Sequence, residues 1–237
     1  MKYRRFAADH ILPLFYPVRC PVCQDIVLPK GRMVCPGCED RPAFIDGPAC
    51  MKCGRPVGEG KEFCRSCETH PRLFDRGYAL MRYDGIGQES IRNFKENGRQ
   101  EYAAWYMEAL VQRKGEALRK LAADGIVPVP LHPHRLRKRG YNQALLLAEA
   151  LSVRLDIPVI DILRRTKDTG RLKKLGPEGR RKNMTGSIVS GALPDDVRRL
   201  ILIDDIFTTG STADACSAAL KDEGAERIFL VTVCTAG

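Results

Sequence analysis

The stretch that decides the fold is Leu200–Leu220, which reads LILIDDIFTTGSTADACSAAL. Its first four residues are apolar and predict a short buried strand. Two carboxylates, Asp204 and Asp205, follow directly. A small polar run then leads into an alanine-rich segment with high helix propensity and an apolar stripe. This order predicts a strand, a polar turn and a helix.

The predicted turn has the composition of a phosphate-binding loop. A helix that opens here would offer unpaired backbone amides and the positive end of its dipole. The loop residues are Thr208, Thr209, Gly210, Ser211 and Thr212. Because the two neighbouring aspartates would repel a bare phosphate, we expect them to bind sugar hydroxyls or a divalent metal at the carboxyl end of the strand. The alternative is an ordinary strand–helix turn capped by a hydroxyl.

The N-terminal part of the chain contains an internal repeat of four Cys-x-x-Cys pairs. The pairs recur every fifteen, fifteen and fourteen residues, and they are Cys20/Cys23, Cys35/Cys38, Cys50/Cys53 and Cys64/Cys67. Two such pairs complete a tetrahedral shell of four thiolates, so eight cysteines predict two structural zinc ions. Pairing in sequence order gives one site from the first two pairs and one from the last two, but spacing alone also allows a crossed pairing.

Two other interpretations of the cysteines remain open. A disulfide framework needs an oxidising compartment, and an iron–sulfur cluster is a further alternative. The N-terminus is basic, as in a signal peptide, but Asp9, His10 and Pro13 interrupt its apolar run. We therefore expect a cytoplasmic protein that does not insert into a membrane.

The length of 237 residues accommodates one standard domain and a small one. We expect a cysteine-rich module over residues 1–70 and an α/β domain over residues 71–237. Further strands are predicted at Ile126–Pro130, Pro158–Leu163 and Arg227–Cys234, and helices at Gln88–Lys95, Glu101–Leu121 and Asn142–Leu155.

Positive charge is concentrated in one part of the chain. The formal net charge is +10, and residues 131–182 contribute fourteen Lys or Arg against five Asp or Glu, a net of +9. A polyphosphate or a nucleic-acid backbone is the natural counterpart of such a stretch. It begins with a predicted loop in which His132 and His134 are candidate bases, although surface histidines are the plainer interpretation. Arg139 and Gly140 close this loop.

Several motifs together resemble a known family. The segment around Asp204 resembles the motif of type I phosphoribosyltransferases that binds 5-phosphoribosyl 1-pyrophosphate (PRPP). The cysteine pairs, the run PVPLHPHRLRKRGYNQA, the pattern formed by Arg180, Asn183 and Gly186, and the PRPP motif occur in the order seen in the ComF competence-protein family. The resemblance covers almost the whole chain.

The resemblance implies a fold, a ligand and a set of site residues. The fold is α/β, with a type I phosphoribosyltransferase-like parallel sheet flanked by helices and preceded by a small double zinc ribbon. Asp204 and Asp205 would hold the ribose hydroxyls, residues 208–212 the 5-phosphate, and Arg139 and Gly140 the pyrophosphate with Mg²⁺. Arg180 and Asn183 would belong to a loop that closes over the substrate.

Two functions remain open at this point. One is phosphoribosyl transfer with release of pyrophosphate, in a protein linked to DNA uptake during competence. The other is a non-catalytic sensor of PRPP or a nucleotide, in which the zinc ribbon and basic loops bind single-stranded DNA or proteins of the competence machinery. The acceptor substrate and the oligomeric state cannot be derived from the sequence.

Overall fold

The computed structural model describes residues 17–166 and 187–236. In this part of the chain the strands are β1 (Arg76–Arg82), β2 (Gly125–Pro128), β3 (Leu163–Arg165), β4 (Ile188–Ser190), β5 (Arg199–Phe207) and β6 (Arg227–Thr235). The helices are α1 (Arg65–Thr69), α2 (Gly85–Glu96), α3 (Tyr102–Arg119), α4 (Pro133–Arg139), α5 (Gln143–Leu155) and α6 (Ser211–Asp222).

The central sheet is parallel and has the strand order β1-β6-β5-β2. On the outer side of β2, Val159 forms a single parallel bridge with Ile126. Strands β3 and β4 form a separate antiparallel pair. Parallel strands are joined by crossover helices and are buried on both faces, which explains the uninterrupted apolar run Leu200–Ile203 within β5.

The two faces of the sheet carry two separate cores. Ile201 and Ile203 belong to a core that includes residues of α2, α3 and α5. Leu200 and Leu202 belong to the other core, which includes residues of α6. The alternation follows from the two-residue period of a strand. The expected α/β class, with helices on both faces of a parallel sheet behind a cysteine-rich module, is confirmed.

The cysteine-rich module is built from repeated tight turns. The carbonyl of Cys20 accepts a bond from the amide of Gln24 at 2.9 Å, and that of Cys50 accepts from Gly54 at 2.8 Å. Each of these turns therefore projects its pair of thiols towards one point.

The module packs directly against β1. A Cβ atom on Gly77 would lie 2.7 Å from the backbone of Cys53, and one on Gly54 would lie 2.7 Å from the amide of Ala79. Only glycine permits these two backbones to approach so closely. On the outer edge of β1, Phe44 forms an antiparallel bridge with Met81, which covers an otherwise open sheet edge.

Two predicted elements differ from the structure. The residues after His132 form helix α4 instead of a loop, because proline occupies the first helical position, His132 accepts a bond from the amide of His134, and Gly140 ends the helix in the left-handed conformation. The strand predicted at Pro158–Leu163 is reduced to the bridge at Val159, and the chain pairs again only in β3.

Candidate phosphate site and metal centres

The loop between β5 and α6 has the geometry of an anion site. Gly210 precedes the helix with φ of 84°, in the left-handed region, and the helix begins at Ser211. The first bond that closes the helix runs from the amide of Asp214 to the carbonyl of Gly210, at 2.8 Å. The amides ahead of Asp214 therefore lie at the positive end of the helix dipole.

Several amides of this loop are left unpaired by the described residues. Neither residues 17–166 nor residues 187–236 supply a hydrogen-bond acceptor for the amides of Thr209, Gly210, Thr212 and Ala213. The amide of Ser211 has only a long contact, 3.5 Å to Oγ1 of Thr209. A phosphate accepts several such donors at once, which is the usual role of a helix start of this kind.

A small cavity of about 40 Å³ lies beside the loop. Its walls are formed by Asp204, Ile206, Phe207, Thr208, Thr209, Gly210, Ser211, Thr212, Ala213, Leu230 and Thr232. Thr232 is fully buried, and its Oγ1 has no hydrogen-bond partner in the described part of the chain. A buried hydroxyl without a partner is costly, so a ligand in the cavity would supply the missing bond. Sequence reasoning did not find Thr232.

The two aspartates lie on opposite sides of β5. Asp204 is half-buried and lines the cavity. Asp205 is buried, and its Oδ2 lies 2.7 Å from Nζ of Lys95, near the end of α2. The separation is a consequence of strand geometry, since β5 continues through both residues to Phe207 and neighbouring strand residues point to opposite faces.

The environment of Asp204 favours its protonated form. Burial and, secondarily, the nearby charge of Asp205 raise the pKa of Asp204 to about 8, and Lys95 opposes this shift only in part. Two carboxyl groups on neighbouring residues have this property, because their negative charges repel each other. A hydroxyl-rich or cationic ligand would relieve the repulsion.

The basic turn after β2 is held against α2. Nη1 of Arg139 donates to Oε1 of Gln143, and Gly140 caps helix α4. The hydroxyl of Tyr141 donates to the carbonyl of Phe94. Burial raises the pKa of Tyr141, the charge of Arg139 lowers it in part, and the charges of Glu101 and Asp205 raise it slightly. The structure therefore places the turn of Arg139 and Gly140 on the side of β5 that also carries Asp205.

The structure describes the predicted histidines but not the residues of the proposed closing loop. His132 caps α4 through its Nδ1, which accepts a bond from the amide of His134 at 3.2 Å. This is a structural role for His132 at the start of the helix. Arg180 and Asn183 lie outside the described residues, so their assignment to a closing loop stays a prediction from the sequence.

The cysteines form two groups in sequence order. The sulfur atoms of Cys50, Cys53, Cys64 and Cys67 lie within 4.8 Å of one another. In the other group Cys20, Cys23 and Cys38 meet the same limit, and Sγ of Cys35 lies 3.8 Å from Sγ of Cys23.

Four thiols gathered around one point are the donor set of a closed zinc site. The hydrogen bond between Cys53 and Cys67 lowers the pKa of Cys67 to about 5 and raises the pKa of Cys53, so the two thiols share one proton in the absence of a metal. The two tetrads thus support structural zinc and the pairing in sequence order.

Two arginines connect the second tetrad to the candidate phosphate loop. Nη2 of Arg55 donates to the carbonyl of Thr208 at 2.9 Å, and Nη1 of Arg72 donates to the carbonyl of Thr209 at 2.8 Å. Sequence reasoning did not single out either arginine. Each is separated from its partner by more than 130 residues, so no local pattern indicates the contact.

The fold and the site together define an α/β protein with two features. A phosphate-loop candidate lies at the carboxyl end of strand β5, and two cysteine tetrads lie in the N-terminal module. The double zinc ribbon domain family matches residues 11–68. Competence protein F of Haemophilus influenzae is 30% identical over 224 residues, which cover 90% of this chain and 95% of that protein. The chain belongs to the ComF family.

Other relatives agree with this assignment. Competence protein ComFC of Bacillus subtilis is 27% identical over 84% of this chain and 82% of its own length. The DNA utilization protein YhgH of Escherichia coli is 28% identical over 93% of this chain and 98% of its own length. These names associate the family with competence and DNA utilization.

Solved structures with similar segments include two phosphoribosyltransferases. A purine phosphoribosyltransferase from Pyrococcus horikoshii aligns with a TM-score of 0.35 at 22% identity, covering 58% of this chain and 74% of that one. An adenine phosphoribosyltransferase aligns with a TM-score of 0.36 at 17% identity, covering 62% of this chain and 75% of that one. With scores this low, the fold assignment rests on the sheet itself and on the family. Within the described ranges, no helix combines the length and apolarity needed to cross a bilayer.

Proposed function

We propose that this protein binds PRPP and transfers its phosphoribosyl group with release of pyrophosphate, in a process linked to DNA uptake. The observation that carries the proposal is the cavity bounded by the loop of residues 208–213, with Asp204 in its wall. Amides without acceptors on one side and a carboxyl group on the other match a ligand with a phosphate and adjacent hydroxyls.

The loop and the acids have separate roles in this proposal. The amides and hydroxyls of residues 208–212 bind the 5-phosphate, and Thr232 adds a donor from β6. Asp204 binds the ribose hydroxyls from the cavity wall. Asp205, which the sequence pattern assigned to the same hydroxyls, lies on the opposite side of β5, and its role is to stabilise positive charge that develops at C1. Lys95 compensates the charge of Asp205 from the far side of the sheet. Arg139 and Gly140 bind the pyrophosphate, which PRPP carries together with Mg²⁺.

The proposed reaction is a substitution at C1 of the ribose. The bond from C1 to the pyrophosphate oxygen breaks, its electron pair leaves with pyrophosphate, and a nitrogen nucleophile forms the new bond and loses a proton. Arg139 stabilises the negative charge of the leaving group. Arg180 and Asn183 are assigned to the segment that excludes water from the site.

Calorimetry with PRPP and Mg²⁺ tests the binding step. We expect the wild-type protein to bind, Asp204→Asn to weaken binding at least about tenfold, and the exposed control Asp222→Asn to bind like wild type. No binding by the wild type, or equal binding by all three proteins, would overturn the proposal. Release of pyrophosphate from PRPP in the presence of candidate bases and amines then tests transfer.

A second candidate function is a non-catalytic sensor of PRPP or a nucleotide that also binds single-stranded DNA or competence proteins. The concentration of positive charge in residues 131–182 favours it, as do the printed names of the relatives. It predicts affinity for an oligonucleotide that falls steeply with salt. Binding that does not respond to salt would contradict it. A cytoplasmic location stays a prediction from the reduced cysteines that zinc requires.

A further inference from the structure

The side chain of Arg72 is buried between the cysteine module and the phosphate loop. Its side chain is 3% exposed, and Nη1 lies 2.8 Å from the carbonyl oxygen of Thr209 and 3.0 Å from Oδ2 of Asp214. Nη2 donates to Oγ of Ser66 in helix α1, at 2.9 Å. All three contacts are directional, and one joins the guanidinium to a carboxylate in the first turn of α6.

Arg55, which lies within the cysteine module, makes a similar contact with the loop. It follows Cys53 by two residues, and its own carbonyl accepts the amide of Cys50 at 2.7 Å, which closes the turn of this cysteine pair. Its guanidinium reaches the carbonyl of Thr208 at 2.9 Å. The guanidinium carbons of Arg55 and Arg72 lie 5.8 and 5.7 Å from the ring centre of Phe207, at the end of β5. The two arginines therefore hold consecutive carbonyls of one loop.

The direction of a carbonyl determines the direction of the next amide. In a trans peptide the C=O and N–H groups point in opposite directions. When Arg55 holds the carbonyl of Thr208, the amide of Thr209 points away from the module. When Arg72 holds the carbonyl of Thr209, the amide of Gly210 also points away from the module. These are two of the amides that have no acceptor within residues 17–166 and 187–236.

A close contact at Gly210 shows how tightly this side of the loop is packed. A Cβ atom at this position would lie 2.6 Å from Nη1 of Arg72 and 3.0 Å from the ring of Phe207. The absence of a side chain thus lets the guanidinium reach the loop carbonyl. The loop is built against the arginines on one side and open to the cavity on the other.

We propose that Arg55 and Arg72 are positioning residues for the phosphate site, and that the tetrad of Cys50, Cys53, Cys64 and Cys67 holds them in place. In this arrangement the second cysteine tetrad, and not the first, determines the conformation of the loop that binds a phosphate monoester. The inference deepens the proposed function and rests on it for the identity of the ligand. In the proposed arrangement, residues of the small module and of the α/β domain form one site together.

Hydrogen exchange in the free protein tests the positioning without any ligand. We expect Arg72→Ala to increase amide exchange over Asp214–Ser217, the first protected amides of α6, by about tenfold or more, and Arg55→Ala to increase it less. The matched control is Arg113→Ala. Arg113 also stacks on an aromatic ring, that of Phe44 at 3.6 Å, but it adjoins the first half of the module.

Titration with ribose 5-phosphate and with PRPP·Mg²⁺ tests the consequence for binding. We expect both arginine variants to weaken the affinity for ribose 5-phosphate about tenfold or more, and the Arg113 control to leave it unchanged. If the wild type binds neither compound, the proposed function fails, while the exchange measurement still decides the positioning role. Unchanged exchange in both Arg72→Ala and Arg55→Ala overturns the inference even if PRPP binds.

A pair of cysteine variants tests which tetrad is involved. Cys67→Ser and Cys35→Ser each remove one partly buried thiol from a different tetrad. We expect Cys67→Ser to increase exchange at the start of α6 and Cys35→Ser to leave it at the wild-type rate. Equal exchange in the two variants would overturn the assignment to the second tetrad.

Discussion

Replacing Lys95 by methionine should destabilise this protein much more than replacing its neighbour Arg92. Lys95 forms an ion pair with Asp205 across 2.7 Å, and the two side chains are 21% and 4% exposed. Lys95→Met keeps most of the apolar stem of the side chain while removing the charged terminal group. The carboxylate of Asp205 would then be buried without its cation.

The expected magnitude follows from this geometry. At an effective dielectric constant of about 20, the attraction between unit charges 2.7 Å apart is about 6 kcal/mol. Desolvation of the two ions offsets most of it, but removing one partner alone leaves an uncompensated charge and costs about 3–5 kcal/mol. Because the lysine remains partly in contact with water, we expect a loss near the lower end, about 3 kcal/mol.

Urea unfolding at neutral pH with saturating zinc measures this loss. The control is Arg92→Met on the same helix, where the guanidinium lies 3.6 Å from Glu89 and the two side chains are 61% and 49% exposed. An exposed pair of this kind contributes at most about 1 kcal/mol. The double variant Lys95→Met/Asp205→Leu should recover most of the lost stability, because an apolar pair replaces the ion pair.

The comparison between the two methionine variants can refute the reasoning. If Lys95→Met costs no more than Arg92→Met, the carboxylate of Asp205 is compensated by something other than Lys95. If the double variant is no more stable than Lys95→Met, the loss comes from packing around the lysine stem and not from the orphaned charge.

Three further predictions concern the acid pair, the loop glycine and the metal. Since burial and the charge of Asp205 raise the pKa of Asp204 to about 8, the folded state keeps a proton that the unfolded chain loses near pH 4. The free energy of unfolding should fall by about 2 kcal/mol as the pH rises from about 4 to about 8, and Asp204→Asn should remove this slope. Gly210→Ala should cost about 1–3 kcal/mol in urea unfolding and weaken PRPP binding, because φ is 84° and the new methyl group would lie 2.6 Å from Arg72. Removal of zinc by a chelator should lower the melting temperature and unfold the cysteine module first, as followed by exchange over residues 17–70.

Each of these predictions has a control or a contradicting result. A slope that persists in Asp204→Asn would assign the pH dependence to another group. Gly224→Ala provides a matched comparison at the other end of α6, since its φ is 96° and no atom lies within 4 Å of the added methyl group. Equal losses in the two alanine variants would show that backbone strain, and not the contact with Arg72, explains the cost. Elemental analysis should find two zinc ions per chain, and a chelator without effect on stability would contradict a structural metal.

Local patterns in the sequence predicted the elements that carry the site. The apolar run before Asp204 became β5, and the alanine-rich segment became α6. Helices α2, α3 and α5 begin and end within three residues of their predicted positions. These features depend on propensity and periodicity over neighbouring residues, which a sequence displays directly.

The separation of the two aspartates could have been predicted from the sequence if the strand had been extended. The apolar run alone predicts a strand that ends at Ile203, with Asp204 and Asp205 side by side at its carboxyl end. The structure continues β5 to Phe207, and strand alternation then separates the two carboxyl groups. Extending the strand through Ile206 and Phe207, which are both apolar, would have predicted this separation.

The sequence by itself determined the α/β class, the four cysteine pairs and the phosphate-loop candidate, because each is encoded by residues close together in the chain. Only the tertiary structure decided that the cysteine pairs form tetrads in sequence order. Only the tertiary structure decided that Lys95 faces Asp205, that Thr232 lines the cavity, and that Arg55 and Arg72 hold the loop carbonyls. Those contacts join residues far apart in the sequence. Which residues meet depends on which strands lie side by side and on how closely their backbones approach. A pattern along the sequence specifies neither.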